Sequence, residues 1–167
     1  MPTIFKYGVP EATGMTFDKA YDATAQKHKV PTYDELADEF DLSSCEGEEC
    51  PLRQVRQCIS DTLHFWIDLL ETIVSPEQAR TSALYENHFF TDSERNNVFA
   101  LYKRLMLVDR MLIEAAVLAN PKADAEAIKK AWSEWANLKK DVLVVVRKMK
   151  DAWQKDVTRD DYVGYLG

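Results

Sequence analysis

From residue 51 to residue 153 the chain repeats one pattern, in which apolar residues recur at alternating spacings of three and four. Leu52, Val55, Ile59, Leu63, Trp66, Leu70 and Ile73 form one such stripe. Val98, Leu101, Leu105, Val108, Leu112, Ala116 and Ala119 form a second, and Ile128, Ala131, Trp135, Leu138, Val142, Val145, Met149 and Trp153 a third. Residues three and four apart lie above one another on an α-helix, so each stripe is the apolar side of an amphipathic helix. The starts are marked by capping chemistry. Thr32-Tyr33-Asp34-Glu35, Ser75-Pro76-Glu77-Gln78 and Thr91-Asp92-Ser93-Glu94 each read as a capping box, in which hydroxyl and carboxylate satisfy orphan N–H groups. Pro51 and Asn120-Pro121 place a proline at a first helical position, where its missing N–H costs nothing. The pattern predicts helices over 17–28, 33–40, 51–74, 76–86, 92–119 and 122–156. An all-α fold follows: a bundle of three long amphipathic helices with shorter N-terminal and connecting helices. The short link at Asn120-Pro121 makes the last two long helices an antiparallel hairpin.

The helix over 92–119 is apolar beyond its stripe, since Leu107, Met111 and Leu118 project from the opposite side. Either this helix is central to the bundle, since a helix apolar nearly all round is usually buried, or these three form an interface with another subunit. Charge divides the chain differently. Residues 1–50 carry eleven Asp and Glu against four Lys and Arg, whereas the remaining residues carry seventeen of each sign. The net charge of −7 therefore belongs to the first fifty residues. We divide the single domain into an acidic N-terminal arm, 1–50, and a bundle core, 51–167. An acidic arm repels phosphates, which argues against nucleic acid as a partner and for docking on a basic surface, either the chain's own last helix or a partner.

Composition adds bounds. Five glycines and six prolines in 167 residues favour long helices over a turn-rich β fold. The longest apolar run, Val142 to Val146, is five residues, far short of the roughly 20 that span a membrane. The opening MPTIFKYGVPEATG lacks the charged-then-apolar layout of a signal peptide. With an odd count of three cysteines, these features place the protein in the reducing cytoplasm.

Three groups of residues carry candidate chemistry. Cys45 and Cys50 flank a short acidic loop, and their spacing permits a reversible disulfide, the basis of a thiol redox switch. Cys58 follows, but three cysteines without a second closely spaced pair fall one ligand short of a zinc site. Glu46, Glu49, Asp68 and Glu71 give E-x-x-E followed by D-x-x-E. This is similar to the paired acidic motifs with which all-α nucleoside-triphosphate pyrophosphohydrolases hold magnesium, and it implies Mg or Mn as cofactor. Gly47, Pro51 and the closing Glu depart from that pattern. Asp61, His64, Asp68 and Glu71 share the solvent face of the first long helix.

Asp109 stands alone as a carboxylate inside an apolar arc, where it must be paired. Counting back along the hairpin puts Trp132 at its level as a donor. No Gly-rich phosphate loop and no nucleophile–histidine motif is present. The expectation is a non-enzymatic helical interaction or assembly protein, self-associating through its widest apolar helix. A Mg- or Mn-dependent phosphohydrolase is the alternative. The sequence does not specify a small-molecule ligand.

Overall fold

The computed structural model describes residues 14–47, 49–76, 80–158 and 161. Six helices follow in order: α1 Phe17–His28, α2 Tyr33–Ala37, α3 Pro51–Val74, α4 Thr81–His88, α5 Asp92–Leu118 and α6 Pro121–Trp153. No strand occurs among the described residues. The fold is the expected all-α bundle, with α3, α5 and α6 packed against one another.

The core is the meeting line of the three stripes. Leu63 and Leu70 of α3, Leu105 and Leu112 of α5, and Ile128 and Leu138 of α6 are fully buried there. Each such side chain contributes about 1.5–3 kcal/mol on leaving water. Arg104 of α5 pairs with Asp141 of α6 at 2.6 Å, and Glu94 pairs with Lys148, so residue numbers rise along α5 as they fall along α6. The starts are built as the residue types demand. Thr32 and Thr91 accept from the backbone N–H of Glu35 and Glu94, whose carboxylates return the bond to the threonines' own N–H. Asn120 accepts from the Ala123 N–H at 2.9 Å, directly ahead of Pro121.

The described part of the acidic N-terminal segment, from residue 14 on, is packed into this core rather than lying as an arm beside it. Tyr21, Leu36, Phe40 and Leu42 are buried in the same cluster as the long helices. The Tyr21 hydroxyl donates to the Pro31 carbonyl at 3.1 Å, which closes the α1–α2 turn. Glu39 accepts from Lys139 Nζ at 2.6 Å and from Trp135 Nε1 at 2.9 Å, joining the segment to α6. Those two donors, the Lys139 bond foremost, hold the Glu39 carboxyl below its ordinary range. Apolar burial thus holds the segment, and one ion pair orients it.

Three helix boundaries differ from the sequence expectation. The second helix ends at Ala37 instead of running to residue 40. Phe40 N–H still bonds to the Leu36 carbonyl at 2.8 Å, so the turn tightens and brings Phe40 inward. The fourth begins at Thr81 rather than residue 76, because Ser75 serves as the C-cap of α3, its N–H bonded to the Glu71 carbonyl. The rest of that expected capping box, at 77–78, lies outside the described residues. The last helix stops at Trp153. There the Tyr85 hydroxyl donates to the Ala152 carbonyl at 3.0 Å and fixes the helix end against α4.

Ala119 ends α5 in the left-handed conformation, at φ 51. A Cβ in that region costs about 1–2 kcal/mol, which glycine avoids. Ala119→Gly is therefore expected to raise the melting temperature by a few degrees, about 1 kcal/mol of stability, in a thermal unfolding experiment.

Candidate functional site

Two charged groups lie inside the bundle, and both are matched across helices. Asp109 has no solvent exposure. Its Oδ1 accepts from Ser60 Oγ at 3.3 Å and lies 3.0 Å from His64 Nε2, while its Oδ2 accepts from Arg110 Nη1. The His64 and Arg110 side chains are about half exposed, 46% and 58%. The carboxylate is therefore buried, while the His64 and Arg110 side chains reach in from the surface and keep part of their hydration. The partners expected from the sequence need revision. Trp132 is half-buried and packs against Phe40, with ring centroids 6.5 Å apart. It is not among the donors to Asp109. His64 does not share the free solvent face of Asp61, Asp68 and Glu71, because it sits at the border of the α3 stripe and turns inward to α5.

The second group is an ion pair that sequence reasoning missed. Arg56 Nε donates to Asp124 Oδ1 at 2.6 Å, and Arg56 Nη1 donates to the Leu112 carbonyl at 3.3 Å. Both side chains are buried, at 6% and 4% exposure. A signal for this pair existed. On a helical projection Arg56 lies about 20° from Leu63 at the edge of the α3 stripe, and Asp124 falls between Ile128 and Ala131, so one charge borders an apolar stripe and the other interrupts one.

The four carboxylates expected to hold Mg or Mn do not converge. Glu46 and Glu49 are exposed on the loop before α3, and Asp68 and Glu71 are exposed on its second half. At 1.5 Å per residue the two pairs stand about 25 Å apart along the helix. Among the described residues no group of three or more His, Cys, Asp and Glu is arranged to hold a metal ion. The loop instead closes on Gln54, whose Nε2 donates to the Glu46 and Glu49 carbonyls and whose Oε1 accepts from the Glu46 N–H.

The thiols also group differently. Cys50 is exposed at the start of α3 with φ 50, whereas Cys45 is buried with its Sγ 3.0 Å from Cys58 Sγ. Cys58 lies two helical turns beyond Cys50, which is why linear spacing pointed to the wrong partner.

The surface that departs most from an ordinary solvated face is the outer side of the α5–α6 pair. Asn97, Ala100, Arg104, Leu107, Met111, Glu114 and Leu118 succeed one another at spacings of three and four along α5. The facing row on α6 includes Ala123, Ala127, Lys130, Asp141, Val144 and Lys148. A groove of about 370 Å³ lies between the rows at the Phe90 end, and another of about 350 Å³ lies at the Leu118 end. Leu107 is 64% exposed, Leu118 58% and Val144 66%, while Met111 is half-buried. At the Phe90 end the charges are paired across the groove, Arg104 with Asp141 and Lys148 with Glu94, whereas at the Leu118 end Lys130 pairs along α6 with Glu134. The Lys148 bond, ahead of those from Thr91, lowers the Glu94 carboxyl to about 2. No protein-family model, curated protein or solved structure matches this chain. Among the described residues no helix is long and apolar enough to cross a membrane.

Removing Arg56 leaves Asp124 buried and uncompensated. Arg56→Met is expected to cost about 3–5 kcal/mol in urea unfolding, and Arg56→Met combined with Asp124→Leu to recover most of that loss. Glu94 gives a pH signature. Its lowered carboxyl contributes stability in full above the ordinary glutamate range, and that contribution is lost as pH falls through about 2. Glu94→Gln should therefore be less stable than the parent at pH 7, with the gap closing in unfolding curves recorded towards pH 2.

Proposed function

We propose that this chain is a non-enzymatic helical assembly protein that self-associates, the α5–α6 groove of one copy packing on that of a second. The carrying observation is the exposure of Leu107, Leu118 and Val144 along the two rows that border the groove. Rows at three-four spacing are the seam by which helices interdigitate, and a third and fourth helix laid against α5 and α6 complete a four-helix seam. Ala100, Ala123 and Ala127 leave room for close approach along it.

A second copy fits this surface for two reasons. A two-fold contact meets itself, so its patch must be self-complementary, as apolar rows and already neutralised ion pairs are. At the Phe90 end Arg104–Asp141 and Glu94–Lys148 are already neutralised, which lowers the desolvation cost of covering those charges. Helices α1 and α2 stand clear of the groove, since α1 packs on α3 and α6, and Glu39, just after α2, meets Lys139 on the side of α6 away from it.

Sedimentation velocity on the purified chain at tens of micromolar tests this reading. A dimer is expected for the parent, and Leu107→Glu with Val144→Glu should shift it to monomer while leaving the helical circular dichroism unchanged. A parent that stays monomeric throughout that range overturns the proposal.

A further inference from the structure

We propose that Cys45 and Cys58 form a reversible disulfide that fastens the α2–α3 connection to the body of α3. The two sulfurs lie 3.0 Å apart as free thiols, buried at 9% and 6% exposure. They stand thirteen residues apart in sequence, so only the fold brings them together. Three features present the pair for bonding. The Cys45 N–H is held by the Leu42 carbonyl at 3.0 Å, and Leu42 is itself buried in the core, which fixes the loop side. Cys58 sits within α3, which fixes the other side. Ser44 Oγ lies 3.3 Å from Cys58 Sγ, within reach to donate to that sulfur. The third thiol has no such placement. Cys50 is exposed at the helix start, roughly 12 Å along the α3 axis from Cys58.

The chemistry follows with a small peroxide as oxidant. The Cys58 sulfur attacks one peroxide oxygen, the O–O bond breaks, and the departing hydroxide leaves as water with the thiol proton. The Cys45 sulfur then attacks the Cys58 sulfenic sulfur, and the S–O bond breaks. A second water departs with the Cys45 proton. Two thiols lose two electrons in total, and one peroxide is reduced to two waters. Burial, helped by the bond to Cys58, pushes the Cys45 thiol up to about 12, which disfavours it as the first nucleophile and leaves the peroxide step to Cys58. A thiol reductant reverses the bond. The bridge pins the segment carrying Phe40 and Leu42 onto α3, so oxidation tightens the docking of the N-terminal helices.

The test uses the full chain, as the parent and as Cys50→Ser, exposed to hydrogen peroxide under native conditions. Each is then alkylated in denaturant and mapped by mass spectrometry. Free thiols should fall from three to one in the parent, with a Cys45–Cys58 linked peptide, and from two to none in Cys50→Ser. The melting temperature should rise on the order of 5–10 °C and return with dithiothreitol. A bridge that includes Cys50 overturns the proposal. So does a chain whose thiols survive unchanged, or one in which Cys45 and Cys58 pass to sulfinic acids without linking.

Discussion

From its place on α3, the guanidinium of Arg56 holds Asp124 of α6 and the Leu112 carbonyl of α5, so one side chain touches all three long helices. Apolar stripes alone tolerate sliding, because one leucine layer resembles the next. A buried charge does not, since a shift of one turn leaves both the guanidinium and the carboxylate dry and unpaired, at a cost of several kcal/mol. The Arg56–Asp124 pair therefore sets the register in which the remaining core packs. Asp109 repeats the constraint about one turn away, where Ser60 of the same α3 face supplies one of its donors. The two centres together fix α3 against α5 at successive turns, 56 against 112 and 60 against 109.

That register decides what stays uncovered. Helix α3 is the common neighbour, packed by α1, α4, α5 and α6. Its two flanks are thereby occupied, and the N-terminal helices close the side between α3 and α6. The outer side of α5 and α6 receives none of these elements among the described residues, so its three-four rows face solvent. The openness of this groove is a consequence of the chain's own packing.

Much of this was legible before any coordinates. Thr32, Thr91 and Asn120 announce their helices through side chains suited to capping, a local signal that needs no knowledge of the fold. Asp109 was visible as a carboxylate in an apolar arc, and Leu107, Met111 and Leu118 as a second apolar side of α5. The partners were not legible, because pairing between antiparallel helices depends on a register that the hairpin turn alone does not fix. Counting back from residue 120 offered Trp132 to Asp109, whereas the true donors come largely from α3, a helix outside that hairpin. Arg56 and Asp124 were not legible as a pair for a different reason. Asp124 reads as an ordinary first-turn acid of α6, and a long side chain like that of Arg56, at the edge of an apolar stripe, ordinarily reaches water. The carboxylates at 46, 49, 68 and 71 show the reverse error, a spacing that looks like a motif but divides between the loop before α3 and the second half of that helix, about 25 Å away.

The same packing separates two properties of the molecule. The excess acidity and the thiol pair both belong to the side built by α1, α2 and the loop into α3, where Glu39 meets Lys139 and Cys45 meets Cys58. The groove belongs to α5 and α6, within a part of the chain whose charges balance, seventeen of each sign beyond residue 50. A like-charged surface repels its own copy, so an acidic groove would work against self-association, and concentrating the acidity elsewhere removes that obstacle. Any influence of the thiol side on the groove must pass through α3 and its buried contacts with Asp109, Leu112 and Asp124. Those contacts are close-packed and fully matched, so they transmit a change of register or none at all.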